Sequence, residues 1–255
     1  MIGFDGRRVV VTGAGAGIGR ATTLHLLAEG ADVVAAGRGA EGLKETAALA
    51  EHSGNDARLR TMVLDVSDPR AVQAVFAEAI SGMGGLDVLV NSAGVFFGAH
   101  THEASLESWH ETIATNLTGT FLTTRAALPA LLGGREPVVV NIGSTAASAA
   151  SPYMAAYAAS KGGVQAFTRT IALEYANRGL RAVCVLPGGI DAKMTVAPPF
   201  PADIDRTLLT RLRPVLGGGA LGAPAAVARI IVTLASPDSA FITGTEIRVD
   251  GGAHM

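Results

Sequence analysis

The chain has 255 residues, 49% of them hydrophobic and 16% charged, with 20 basic and 22 acidic side chains for a net charge of −2. That size and composition suit one hydrophobic core in an α/β domain, and exclude a disordered polymer or a protein devoted to gripping nucleic-acid phosphates. A lone Cys184 excludes a disulfide framework and a cysteine-ligated metal site.

The opening MIGFDGRRVVVTG carries Asp5 straight into an apolar run, so no signal peptide is expected. Strands are expected at Val9–Thr12, Asp32–Ala36, Leu59–Leu64, Val88–Asn91, Val138–Ile142, Ala182–Leu186 and Glu246–Val249. Most lack polar–apolar alternation, as strands covered on both faces do. Between them, helices are expected at Ile18–Glu29, Glu41–Glu51, Pro69–Ile80, Leu106–Leu132, Tyr153–Asn177 and Pro224–Leu234. Pro69 and Pro224 stand at first helical positions, where a missing amide costs nothing. The uncharged stretch 138–160 is long enough to span a membrane. Asn141, Gly143, its hydroxyls and Pro152 make it strand, loop and helix start instead, and a cytoplasmic location is expected. Alternation from end to end predicts a Rossmann-type doubly wound α/β fold: a seven-stranded parallel sheet with helices on both faces. It forms one domain over 1–255. The Pro- and Gly-rich segment 191–219 departs from the pattern and is expected to be a substrate lid walled by Met194, Val196, Phe200, Leu208 and Leu212.

The first strand runs into Gly13, Gly15, Ala16, Gly17, Ile18 and Gly19, which open the first helix. Such a turn lets a backbone approach a pyrophosphate at the positive helix end. Asp65 and Val66 close the third strand, with the Asp65 carboxylate placed to accept from an adenine amino group. Asn91, Ser92, Ala93 and Gly94 close the fourth with small residues against which a flat ring can lie. The second strand ends in Gly37-Arg38, without the acid that binds a ribose 2′-hydroxyl; Asp32 and Glu41 are wrongly placed to replace it. A 2′-phosphate would meet no repulsive charge there and a guanidinium able to bind it, which favours NADP(H) over NAD(H). Ala16 stands where a second basic residue would strengthen that preference.

With three tyrosines and three lysines in the chain, chance supplies about 0.035 Tyr-x-x-x-Lys pairs. One is present, Tyr157 with Lys161. Four residues apart on a helix they share a face, so the ammonium is expected to favour the phenolate and lower the phenol's pKa. Ser144, thirteen residues earlier at the end of the fifth strand, is placed to hold a substrate oxygen beside that phenol.

Taken together, these motifs resemble those of the short-chain dehydrogenase/reductases. Thr12–Gly19 is similar to the family's TGxxxGxG, Asn91–Gly94 to NNAG, and Asn116, Ser144, Tyr157 and Lys161 to its catalytic set. Pro187-Gly188 and Val249-Asp250-Gly251-Gly252 match later signatures. The resemblance covers essentially the whole chain. It implies hydride transfer between a nicotinamide and a secondary alcohol or ketone, with Tyr157 as general acid/base. Lys161 would hold the nicotinamide ribose, Ser144 the carbonyl oxygen, Asn116 a relay water, and the backbone of Ile190 the carboxamide. A homotetramer is implied, with the two long helices paired about two-fold axes. Ser92 replaces an Asn, and Ala192 stands where a cofactor-bonding threonine is common, with Thr195 a candidate substitute.

Other readings are weaker. His100, His102 and Glu103 have a ligand-like look but no fourth partner. Ser144 lacks a nucleophile elbow, Cys184 reads as a small buried hydrophobe, Tyr153 as a pocket wall, and Trp109 and Phe121 as core or interface. A nucleotide sensor without turnover would be expected to lose the Tyr/Lys pair. Among enzymes, a 3-oxoacyl-carrier-protein reductase acting on a carrier-bound acyl chain is the alternative, on the strength of Arg135 and Arg178; polyol, sugar and steroid substrates stay open. Neither nucleic acid nor a membrane is an expected partner.

Overall fold

The computed structural model describes residues 3–192 and 200–254, the side chain of Arg211 excepted. Met194, Thr195 and Val196 of the expected lid lie outside the described residues. Strands β1 (Arg8–Thr12), β2 (Asp32–Gly37), β3 (Leu59–Val63), β4 (Val88–Asn91), β5 (Val138–Ile142), β6 (Arg181–Pro187) and β7 (Glu246–Val249) form one parallel sheet in the order β3-β2-β1-β4-β5-β6-β7. The helices are α1 (Gly17–Ala28), α2 (Ala40–His52), α3 (Pro69–Met83), α4 (Leu106–Ile113), α5 (Gly119–Leu131), α6 (Ala155–Glu174), the short α7 (Arg206–Leu209) and α8 (Pro224–Ala235).

Strand residues divide by parity. Val9, Val11, Val33, Ala35, Val88, Val90, Val138, Val140, Val183 and Val185 enter one core with α1 and α8. Val10, Val34, Ala36, Leu89, Val139 and Ala182 enter the other, with α3, α5 and α6. Both faces of the five central strands are dry, which is why these read as continuous apolar runs, whereas the edge strands β3 and β7 keep exposed residues. Among the described residues, no helix is long and apolar enough to cross a membrane.

Two expected helices differ. Leu106–Leu132 is not continuous: Ala114–Thr118 forms a π-helical segment between α4 and α5, closed by the Gly119 amide donating to Ala114. Tyr153 is not helical. It follows Pro152 with φ +66°, in a turn that delays α6 until Ala155, and α6 gives way to a 3-10 turn at Ala176–Arg178.

At the amino end of the sheet, Asp87 is fully buried and ties three strand starts together. It accepts from the Arg8 amide (2.9 Å), Arg8 Nε (3.0 Å), Arg8 Nη2 (2.7 Å) and the Arg135 amide (2.7 Å). Burial alone would raise its pKa; the Arg8 and Arg135 bonds overcome that and hold it down at about 2. A carboxylate depressed in the fold stabilises above its unfolded pKa and loses that contribution as pH falls through its folded one. Unfolding in denaturant should therefore show a loss of about 2 kcal/mol between roughly pH 4 and pH 2. Asp87→Asn should lack that step and be less stable at neutral pH by about 2–4 kcal/mol.

Candidate active site

The sheet order reverses between β1 and β4, whose following chains pass to opposite faces, and a crevice opens at their carboxyl ends. A cavity of about 540 Å³ fills it. Gly13, Ala16, Gly17, Ile18, Gly19 and Arg38 line one half; Gly94, Tyr157, Lys161, Pro187, Gly188 and Ile190 line the other. Gly13 turns at φ +68°, and a Cβ there would stand 2.7 Å from the Ala93 amide nitrogen. No side chain caps the start of α1 at Ala16, so its first amides are left for a ligand. An elongated anion with a flat ring at each end fits this trough.

At its inner end the catalytic candidates meet. Ser144 leaves β5 in extended conformation and its Oγ accepts from the Ala146 amide (3.1 Å), which leaves its proton to donate outward. Burial raises the Tyr157 pKa, and the Ser144 hydroxyl bonded to it pulls the other way. Lys161 is 4% exposed; its Nζ donates to the Ile142 carbonyl (2.7 Å) and lies 5.8 Å from the centre of the Tyr157 ring. The net direction for Tyr157 is opposite to that expected from the Tyr/Lys spacing. Desolvation outweighs the Ser144 hydrogen bond at Tyr157, and burial likewise disfavours the ammonium, lowering the Lys161 pKa to about 8 against an opposing pull from Cys184.

The family model for the short chain dehydrogenases matches residues 7–198. The chain belongs to that family. It is an oxidoreductase acting on hydroxyl and keto groups with a nicotinamide cofactor. It is 39% identical over 254 residues to 3beta-hydroxysteroid dehydrogenase 1 of Eggerthella lenta, covering 99% of this chain and 95% of that one. It is 36% identical over 249 residues to the 3-oxoacyl-acyl-carrier-protein reductase FabG of Thermotoga maritima, covering 98% of each. A short chain dehydrogenase of Burkholderia cenocepacia solved in complex with NADP superposes with a TM-score of 0.87 at 30% identity, covering 99% of each chain.

Several residues expected in this short-chain dehydrogenase's site stand behind it. The Asn91 side chain does not face the cavity: it donates to Asn141 Oδ1 (2.9 Å) and Thr124 Oγ1 (3.0 Å) and accepts from Thr123 (2.7 Å). Asn116, in the π segment, accepts from the Val95 amide (2.8 Å) and donates to the Val95 carbonyl (3.0 Å) and Ser160 Oγ (3.0 Å). Both its N–H groups are thus engaged, and it clamps the strand-end loop against α6. Asp65 folds onto Ser67, whose hydroxyl and amide donate to one carboxylate oxygen and hold its pKa low. Val66 packs on Gly119, Gly15 lies against Gly42, and Ala93 sits behind the Gly13 turn. Thr12, the first residue of the TGxxxGxG-like run, accepts from the Ser92 (3.2 Å) and Ala93 (3.3 Å) amides and fixes that turn, a role the motif alone did not assign.

The expectation of no repulsive charge beside Arg38 is corrected by Glu111. It reaches the same cavity from α4, with Oε1 3.7 Å from Arg38 Nη1. Arg135 and Arg178, expected at the site mouth, immediately precede β5 and β6 and so stand at the amino end of the sheet, away from Tyr157. His100 bonds Asp203 (3.3 Å), and His102 faces Glu103. Tyr153 is no pocket wall: its hydroxyl accepts from the Asp205 amide (3.0 Å) and its ring meets His100 and Phe200 edge-on, fastening 200–205 down.

Beyond Tyr157 lies a second, apolar cleft of about 240 Å³. Phe96, Phe200, Leu209 and Leu212 help line it. Leu209 occupies the wall position expected of Leu208, which is exposed. Phe96 packs edge-on against both Tyr157 and Phe200, with centroids 5.4 Å apart in each case. Only its place just after the Asn91–Gly94 motif could have flagged it.

The buried Lys161 has a measurable signature. Its unfolded form holds a proton up to about pH 10.5 and its folded form only to about pH 8, so stability rises with pH across that interval. Relative to Lys161→Met, the unmodified enzyme should gain up to about 3 kcal/mol in denaturant unfolding between pH 8 and 10.5. Parallel pH profiles for the two proteins would remove the assigned burial penalty.

Proposed function

We propose that this enzyme interconverts an apolar ketone and its secondary alcohol, with Tyr157 as proton donor and acceptor and NADP(H) preferred to NAD(H). The observation that carries the reading is shared lining: Phe96, Ser144, Tyr157 and Gly188 border both the 540 Å³ trough and the 240 Å³ cleft. A group bridging the two cavities lies against the phenol and the outward-donating Ser144 hydroxyl. When bound, the nicotinamide supplies or accepts hydride at the carbon. The chain's part is to polarise the oxygen through Ser144, pass a proton at Tyr157 Oη, and offer the Lys161 ammonium, which would hold the ribose hydroxyls of a bound nicotinamide cofactor. Asn116 keeps Val95 and Ser160 in register behind them. Segment 200–212 covers the cleft as the described part of the lid.

The 3-oxoacyl-carrier reading draws support from the Thermotoga relative, whereas the positions of Arg135 and Arg178 count against a carrier docking on them within one subunit. We assign the enzyme to the cytoplasm, in keeping with its nicotinamide dependence, and to a homotetramer. Exposed Trp109 on α4, Phe121 on α5, Leu173 on α6, and Phe241 beside β7 supply faces for pairing. Light scattering at micromolar concentration should give a four-chain mass; a mass near 25.8 kDa would refute the assembly.

Tyr157→Phe should lower kcat by at least about 10²–10⁴-fold while leaving cofactor affinity nearly intact. Retention of most of the activity would remove Tyr157 from the proton-transfer role. For the cofactor, Arg38→Leu should weaken NADPH and spare NADH, and Glu111→Gln should tighten NADPH by roughly two- to fivefold through loss of a like charge. A kcat/KM favouring NADH in the unmodified enzyme would reverse the preference.

A further inference from the structure

Two basic side chains border the apolar cleft. Its lining carries two ionisable side chains besides Tyr157, Arg213 and His254, and no carboxylate among the described residues. Arg213 is exposed, and its guanidinium makes no hydrogen bond or ion pair with any described residue. Long basic side chains on a surface commonly find a carboxylate; here the near side of the group is an apolar slot leading to Tyr157.

The placement is built rather than incidental. Arg213 leaves a 3-10 turn, Thr210–Leu212, that contributes Leu212 to the cleft wall. The next residues are pinned to the C-terminal turn: the Val215 and Leu216 amides both donate to the Gly251 carbonyl at 2.9 Å. Gly251 turns at φ +62°, and a Cβ there would stand 2.9 Å from the Pro214 side chain, so the two segments are in close contact. The Gly252 amide donates to Asp250 (2.9 Å), and Arg248 donates to the His254 carbonyl (3.0 Å), which sets His254 on the same lining. Two segments far apart in sequence thus bring Arg213 and His254 to the lining of the cleft that Ser144 and Tyr157 also border.

From this juxtaposition we infer that the substrate is amphipathic: an apolar body bearing the reacting carbonyl or hydroxyl, with an oxyanion at its far end held by Arg213 with His254 beside it. The inference rests on the ketone–alcohol reading above and narrows it to a substrate class. Apolar surface in the cleft supplies affinity, whereas the terminal charge fixes which way round the molecule enters. An anion entering first would have to be desolvated against Phe96 and Phe200 with only the neutral hydroxyls of Ser144 and Tyr157 to meet it, an expensive arrangement without a cation. The basic pair therefore aligns the reacting carbon with Tyr157 by excluding the reverse orientation.

The test compares isosteric ligands that differ only in tail charge, binding to the full-length enzyme saturated with NADPH and followed by calorimetry. Decanoate should bind roughly three- to tenfold more tightly than decanamide, a modest ratio because Arg213 is solvated. In Arg213→Leu the ratio should fall to about one, and Arg213→Lys should retain most of it. A second pair, S-hexanoyl phosphopantetheine and S-hexanoyl pantetheine, separates the sources of the oxyanion. Discrimination within the first pair assigns it to a carboxylate of the substrate itself, and discrimination confined to the second assigns it to the phosphate of a carrier arm. No discrimination within either pair, or a ratio unchanged in Arg213→Leu, overturns the inference. Failure of the underlying reading shows separately: 9-oxodecanoate and its methyl ester would both resist reduction by NADPH and NADH, while the affinity ratios still decide the role of Arg213.

Discussion

A ladder of buried amides and hydroxyls at the carboxyl ends of β4 and β5 holds the rest of the site in place. Asn91 and Asn141 face each other in the strand register and are bonded side chain to side chain. From Asn91 the ladder reaches Thr123 and Thr124 on α5, and from Asn141 it reaches Thr168 on α6 (2.9 Å). The members are buried, so each bond forms where water cannot compete and each missing partner would be costly. Two helices are thereby fixed against the strands that end in the cofactor trough and in Ser144. Small relative shifts of α6 would carry Tyr157 and Lys161 with them, so the ladder sets the geometry of the candidate site from inside the core.

That rigidity is set against an electrostatic cost. Lys161 is held in a low-dielectric site where its charge is disfavoured, relieved in part by the Ile142 carbonyl. A hydrophobic residue would pack there more readily. An ammonium retained in that position stands beside the Tyr157 phenol on the wall of the trough. The fold therefore spends stability gained by the Asp87 network and the two apolar cores on one unfavourable placement.

The residues legible in the sequence are those whose partners lie nearby in it. Gly13 to Gly19 make one turn, Tyr157 and Lys161 one face of one helix, and strands with dry faces announce themselves as valine runs. Pro187-Gly188 and Val249–Gly252 could be noticed separately, although their contact, Gly188 against Asp250, could not. What escaped depends on register and crossing. Asn91 looks like a ligand residue until β4 and β5 are aligned and Asn141 appears beside it. Glu111 meets Arg38 only because α4 and the end of β2, some seventy residues apart in sequence, border the same cavity. The Tyr157 pKa direction was misread for a related reason: spacing reveals the cation four residues away and says nothing of the depth at which both groups sit.

The π segment at Ala114–Thr118 bears on how this scaffold can be altered. An α-helix turns about 100° per residue, so removing one residue there would let α4 and α5 merge into a regular helix and rotate everything on one side by that amount. Asn116 would leave Val95 and Ser160, or Thr120 and Thr123 would leave the core; both sets cannot be kept. A sequence optimised for helical regularity would thus erase the site while improving the local hydrogen-bond pattern. For redesign, the irregular turn has to be inherited whole, and length changes belong in the loops flanking α4 rather than between it and α5.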